Sequence, residues 1–288
     1  IDNMAQNKKC DVIAFIAPNN VTKPYEIQND IFVPIFSCLE ACQSSSNITL
    51  LLESIGGDIN MPLRIIELFR DKCNNISVII PKYAKSAATL LALGFDNIYM
   101  SPISSLGPID PSISIEYDAC GGRKELPICC RDIIAYLNYG KKYLSKKNMQ
   151  SVIIALTKQI PPSIIGKIFR DVENSRNIAA KALKYHFRHQ LFKSIKINRI
   201  TNQLLEGYFS HDYQISPKEL KTMGLDIQEI DESIEREIIL ELERTENEMK
   251  NKNISAIIQT KEILWEYLHK DGTNEEHSNG ADGWKKVG

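Results

Sequence analysis

The chain lacks any apolar run near the ~18–20 residues that cross a membrane as a helix. Its opening stretch, IDNMAQNKKCDVIAF, lacks the length and cleavage pattern of a secretion signal. It also lacks a dominant charge: 35 Lys and Arg stand against 36 Asp and Glu, for a formal net charge of −1. The chain as a whole therefore offers no general electrostatic reason to bind nucleic acid or an acidic membrane. Cysteine is present but unorganised. Seven residues are scattered, the count is odd, and neither a disulfide framework nor a CxxC zinc pattern appears. Buried thiols in a reducing, cytoplasmic setting are expected. His186 and His189 stand at i, i+3 without a third ligand, so no metal is expected, and no cofactor. There is no G-x-x-x-x-G-K-[ST] phosphate loop, so any ATP-driven unfoldase would be a separate chain.

What is there suits a globular protein of one or two domains, 43% apolar and 25% charged. Apolar runs at Cys10–Ala17, Asn47–Glu53, Ile76–Pro81 and Asn97–Met100 are too short for helices and read as strands. Helical spacing fills the gaps, over Val33–Gln43, Met61–Lys72 and Ser86–Gly94. This alternation predicts an α/β fold with a parallel sheet and crossover helices. Sites in such sheets lie at the carboxyl ends of strands, where Gly56-Gly57 and Ser86 both fall. Tyr117–Pro127 reads as a turn or hairpin, and residues 127–206 as mostly helical. Ser210–Leu225 contains a Ser-Pro helix start and a Gly224 stop. Residues 230–250 form a charged amphipathic helix, expected to be solvated or to contact another copy. Residues 254–268 are read as a further helix and the polar tail from Lys270 as disordered. The domain reading is 8–230 for the main domain, 231–268 for a helical extension and 269–288 for the tail.

The stretch YAKSAATLLAL, residues 83–93, places Ser86 among small residues at the mouth of a helix. Two roles compete: an N-cap, the common use of serine there, and a nucleophile. Acyl transfer needs a nucleophile, a base and backbone N–H groups aimed at the developing oxyanion. A Gly-Gly turn can present one N–H without obstruction, though most such pairs are plain turns. The residue after a nucleophile at a helix start can present another. Gly57 and Ala87 occupy these positions.

The segments ESIGGDI and PKYAKSAATLLALGFDNIYMSPISSLGPIDPSI resemble the superfamily of Clp protease, crotonase and signal peptide peptidase A. Within it the chain is similar to the serine dehydrogenase proteinase family, over about residues 10–230. The resemblance implies a Clp/crotonase-like β-α superhelix with a mainly helical C-terminal part. It implies Ser86 as nucleophile and the N–H groups of Gly57 and Ala87 as oxyanion hole. It further implies an extended peptide pairing with the backbone at Gly56–Asp58 (Gly56, Gly57, Asp58) and at Leu106 and Gly107. A homo-oligomer acting on protein or peptide is expected, with no nucleic-acid partner and no integral membrane segment.

The base is left open. The Clp pattern would put His at Ile109-Asp110, and the Lys-dyad pattern would put Lys in PICC, residues 127–130; neither is present. His211, Asp110 and Lys124 are the candidates, with His211 favoured because imidazole titrates near neutrality. Each also has a bland reading, as a surface histidine, a turn-capping carboxylate and a solvated lysine. Lys85 is read as a substrate-site or surface residue. Cys129-Cys130 is read as core. A catalytically weak or inactive peptide-binding scaffold and a crotonase-like acyl-CoA enzyme are the alternatives to a serine endopeptidase.

Overall fold

The computed structural model describes residues 11–43, 47–119, 122–208, 210–269 and 282–287. Its centre is a sheet whose parallel part follows the order of the chain. Strands β1 (Asp11–Ala17), β2 (Asn47–Ser54), β3 (Asn75–Ile80) and β5 (Asn97–Met100) lie side by side, and β9 (Ile227–Glu229) closes that edge. The first three carry near-continuous apolar runs because helices cover both of their faces. The register pairs Ile13 with Leu50 and Leu50 with Val78, so one face points Ile, Leu and Val together.

That face receives α1 (Phe32–Ala41), α2 (Met61–Lys72) and α3 (Ala87–Ala92), through Ile35, Ile65, Phe69 and Leu90. Pro62 sits in the first turn of α2, where its missing N–H costs nothing. The chain then leaves the sheet as a hairpin, β7 (Ser112–Ala119) with β8 (Gly122–Cys129), followed by α4 (Cys130–Tyr143) and α5 (Lys146–Gln159). It returns along α6 (Pro162–His186) and α7 (Lys193–Glu206), whose Ile178, Leu183, Ile200 and Leu204 join the same core. Helix α8 (Pro217–Met223) starts on a Ser216 side-chain cap and stops at Gly224, whose φ of 104° is left-handed. Both ends were legible as Ser-Pro and Gly. Among the described residues no single helix is long and apolar enough to cross a membrane.

Two expectations fail at the C-terminal end. Helix α9 (Glu232–Asn251) is not simply a solvated face. Its Ile238, Leu242 and Met249 cover the second face of the sheet, against Ala14, Ile16, Leu51 and Ile79. Residues 254–268 are not helical. They form β10 (Ile254–Gln259) and β11 (Leu264–Leu268), and Gly283–Lys286 adds β12, all antiparallel, extending the sheet beyond β1. The tail is thus a strand over 283–286, while residues 270–281 lie outside the described residues. The free edge of β1 offers a ladder of N–H and C=O groups, and Ile254–Gln259 is buried on both faces once it pairs there. An apolar run of that length satisfies helix and strand patterns alike until the edge is known.

The carboxyl end of β2 carries a buried carboxylate. Glu53 is 1% exposed and faces α9, beside Glu246. Glu246 pairs with Lys82 and accepts a hydrogen bond from Asn20 Nδ2 at 3.0 Å. Among the described residues no hydrogen-bond partner reaches Glu53 Oε2. Burial, and then the neighbouring Glu246, push the Glu53 carboxyl up from its ordinary 4.5 to about 7. The folded protein therefore keeps this proton at pH values where the unfolded chain has lost it. Its contribution to stability is full below about 4.5 and declines as pH rises to about 7. Glu53→Gln, which keeps the shape without the charge, should remove that decline and raise the melting temperature at pH 8 relative to wild type. Melts of both proteins at pH 5 and pH 8 check this; parallel behaviour of the two would refute it.

Candidate active site

The neighbouring strands β2 and β3 end on the same side of the sheet, and their exits are stitched together. The two-residue strand β4 (Tyr83–Ala84) pairs with Ser54 of β2 and with β6 (Ser105–Leu106). Lys85 N–H donates to Ser54 O at 3.0 Å, and Gly107 N–H to Ala84 O at 3.0 Å. Thr89, fully buried in α3, donates its hydroxyl to Ala84 O and lies 3.0 Å from Gly107 O. The first turn of α3 is thereby held against the turn that follows β2.

That closeness explains the glycine pair. Gly56 has φ 102°, and a Cβ there would lie 2.6 Å from Lys85 O and 2.9 Å from both Ala87 N and Ser86 Cβ. Gly57 has φ 146°, and its Cβ would lie 2.3 Å from Ile27 N. Ile27 pairs with Gly57 as a parallel bridge: Ile27 N–H donates to Gly56 O (2.7 Å) and Asp58 N–H to Ile27 O (2.8 Å). Successive N–H groups of an extended chain alternate in direction, so the N–H and C=O of Gly57 itself face away from Ile27.

Ser86 is not an ordinary cap. Its hydroxyl makes no capping hydrogen bond to α3, and its backbone sits at φ 49°, ψ −116°. A non-glycine residue there is strained, by about 1–3 kcal/mol, and such strain gathers at functional sites. Ala87 opens α3, so its N–H belongs to the first-turn donors that a helix leaves unsatisfied.

A cleft of about 310 Å³ lies over these turns. Gly56, Gly57, Asp58, Ser86, Asp110 and His211 line it, together with Lys167, Asp171 and Asn174 from α6. Asp110 is 3% exposed, accepts a hydrogen bond from the Cys129 thiol and lies 3.5 Å from Arg131 Nε. Burial raises the Asp110 carboxyl above the usual carboxylate range, while Cys129, Arg131 and His211 pull it back down. The same burial, with Asp110 beside it, pushes the Cys129 thiol up to about 12, which favours the protonated thiol. Lys85 Nζ reaches Asp212 at 3.7 Å.

Six of the expected residues thus share one cleft: Gly56, Gly57, Asp58, Ser86, Asp110 and His211. Leu106 and Gly107 do not reach it. Leu106 exchanges both backbone hydrogen bonds with Ile215, and Gly107 N–H is spent on Ala84 and Thr89. That expected edge is already occupied by the chain itself, and Ile27 likewise takes the Asp58 N–H. The side chain of Lys124 lies outside the described residues. Lys167, Asp171 and Asn174 were missed. Their signal is an i, i+4, i+7 polar stripe on a helix, which any solvated helix face also shows.

Gly57→Ala should destabilise the fold by about 1–3 kcal/mol, because both its φ and the Ile27 backbone forbid a side chain. Gly166, in α6, faces open space, so Gly166→Ala should instead add about 0.5–1 kcal/mol. Urea unfolding of the two variants checks the contrast in sign.

Residues 27–123 match the family model of the ClpP-like SDH-type serine proteinase, the family that the central motifs resemble. Two curated relatives come from Methanocaldococcus jannaschii. Uncharacterized protein MJ0137 is 26% identical over 193 residues, 67% of this chain and 57% of that protein. Uncharacterized protein MJ1495 is 24% identical over 180 residues, 62% of this chain and 51% of that protein. The chain's matches span little more than half the length of these relatives. Among solved structures, a mutant of the 1510-N membrane-bound stomatin-specific protease is 15% identical with a TM-score of 0.42, covering 72% of this chain and 77% of that one. ClpP1 from Listeria monocytogenes is 14% identical with a TM-score of 0.40, covering 81% of this chain and 98% of that one.

Proposed function

We propose that this chain, whose residues 27–123 carry the serine proteinase match, is a serine endopeptidase with Ser86 as its nucleophile. The observation that carries the reading is the strained, non-capping Ser86 in one cleft with Gly57, Asp110 and His211. In this reading Ser86 Oγ attacks the carbonyl carbon of a peptide bond while His211 takes the hydroxyl proton. The carbonyl electron pair moves onto oxygen, and the N–H groups of Gly57 and Ala87 donate to it. Collapse expels the amine, which leaves with the proton from His211. Water then attacks the acyl-enzyme, gives its proton to His211, and the returning proton restores Ser86. Buried Asp110 orients the imidazole and balances its positive charge. The outward C=O of Gly57 accepts a backbone N–H of an extended peptide. The substrate is protein or peptide, and the working form a cytoplasmic homo-oligomer.

One observation favours a second reading of the base. Lys167 lines the same cleft, with Nζ 2.6 Å from Asp171 Oδ2. A lysine there can accept the Ser86 proton once it leaves its ion pair with Asp171 and is neutral.

Fluorophosphonate labelling read by intact mass tests the nucleophile. One adduct is expected on the wild type and none on Ser86→Ala. His211→Ala should slow labelling by roughly 10²–10⁴-fold, and Asp110→Asn by roughly 10²-fold or more. Full labelling of His211→Ala with loss in Lys167→Ala would transfer the base to lysine. No adduct on folded wild type would sink the peptidase reading.

A further inference from the structure

Among the described residues the most exposed large apolar side chains sit together, far from the cleft. Leu191 is 86%, Phe192 96% and Ile195 84% exposed, at the junction of α6 and α7. Water gains nothing from them there, and a cluster of this kind marks a contact surface. The junction is held firmly from beneath. Phe187 is 1% exposed, His186 Nδ1 meets Phe95 O at 2.8 Å, and Arg188 pairs with Asp96 at 3.0 Å. Phe192 adopts φ 57°, a left-handed conformation. Glycine or asparagine would make such a turn at less cost. The chain instead keeps a phenylalanine there and points it outward.

The charge around the tip is one-sided. From Asn174 through Leu205 the sequence has no Asp or Glu, but it has Arg176, Lys181, Lys184, Arg188, Lys193, Lys196 and Arg199. Arg188 is paired with Asp96, but Lys193 and Lys196 meet neutral groups. Lys193 Nζ donates to the carbonyls of Lys184 and Phe187, and Lys196 Nζ lies 4.2 Å from the Phe187 ring centroid. Exposed apolar side chains flanked by Lys184, Lys193 and Lys196, which form no ion pair among the described residues, are complementary to one surface above others: apolar just below an anionic layer.

We propose that this tip docks on an anionic lipid bilayer, with Leu191, Phe192 and Ile195 entering the headgroup–acyl boundary and Lys184, Lys193 and Lys196 facing the headgroups. Docking is a binding event alone and does not rest on the peptidase reading. From Asp171, at the cleft, to His186 the helix rises about 22 Å, so variants at the tip leave the cleft intact.

The test is cosedimentation of the full chain with vesicles of phosphatidylcholine alone or with ~30 mol% phosphatidylglycerol. Binding is expected only to the anionic vesicles, weakening as salt rises. Leu191→Ser/Phe192→Ser/Ile195→Ser should lower the partition coefficient by roughly tenfold or more with an unchanged circular dichroism spectrum. As a second readout, Phe192→Trp emission should shift to the blue on anionic vesicles. Equal partition of wild type and the triple variant, or unshifted Phe192→Trp emission, would overturn the proposal. So would a triple variant that alters only the sedimentation-equilibrium mass, which would assign the tip to a contact between copies.

Discussion

The site depends on how closely two strand exits approach each other. Lys85 N–H bonds to Ser54 O, and that bond brings the turn after β3 within backbone contact of the turn after β2. At that range a Cβ on Gly56 would collide with Lys85 O and Ala87 N. The glycine pair is therefore a steric demand of the parallel ladder before it is anything chemical. Once met, it leaves the N–H of Gly57 turned away from Ile27 and Ser86 in a strained conformation at the start of α3. Buried Thr89 keeps α3 from relaxing that strain, because it ties the helix to both Ala84 and Gly107.

The two faces of the sheet are finished differently. Helices α1, α2, α3, α6 and α7 build the larger core on one side, and α9 alone seals much of the other. Where α9 reaches the carboxyl end of the strands the seal becomes polar, with Lys82 and Asn20 answering Glu246 while Glu53 Oε2 has no partner among the described residues. A buried carboxylate in that position costs stability when ionised. It lies one residue before Ser54, on the opposite face of β2 from the side chains that pack toward α3. The protonation of Glu53 and the geometry of the Gly56 turn are thus properties of one short stretch of chain.

Much of this was legible in the sequence, for identifiable reasons. Periodicity located β1, β2, β3, β5 and α2 because runs buried on both faces and a 3.6-residue stripe are distinct patterns. Ser216-Pro217 and Gly224 marked the ends of α8 because their backbone demands are local. Strands β10 and β11 were misread as helix because only the open edge of β1, a tertiary feature, decides between the two. Leu106 and Gly107 were misassigned to the cleft for a similar reason: Ile215, more than a hundred residues away, takes the edge. Lys167, Asp171 and Asn174 were invisible because a polar stripe on a helix has the same spacing whether it faces water or a cleft. The basic, acid-free segment around 174–205 was hidden by the near-zero charge of the whole chain.

Helix α6 connects the two surfaces of interest and sets their relation. Its first half carries Lys167, Asp171 and Asn174 to the cleft, at the carboxyl ends of the strands. Its last turn delivers the chain to Arg188, which binds Asn74 O and Asp96, at the amino ends of β3 and β5. The exposed apolar tip and the cleft therefore lie at opposite ends of the parallel strands. A bilayer engaged by Leu191, Phe192 and Ile195 would lie beyond the amino ends, and the mouth of the cleft would turn away from it. Docking of this kind would concentrate the protein at a surface without burying the cleft. On the two proposals together, the lipid surface would govern where the protein works, and the strained turn at Ser86 what it could do there.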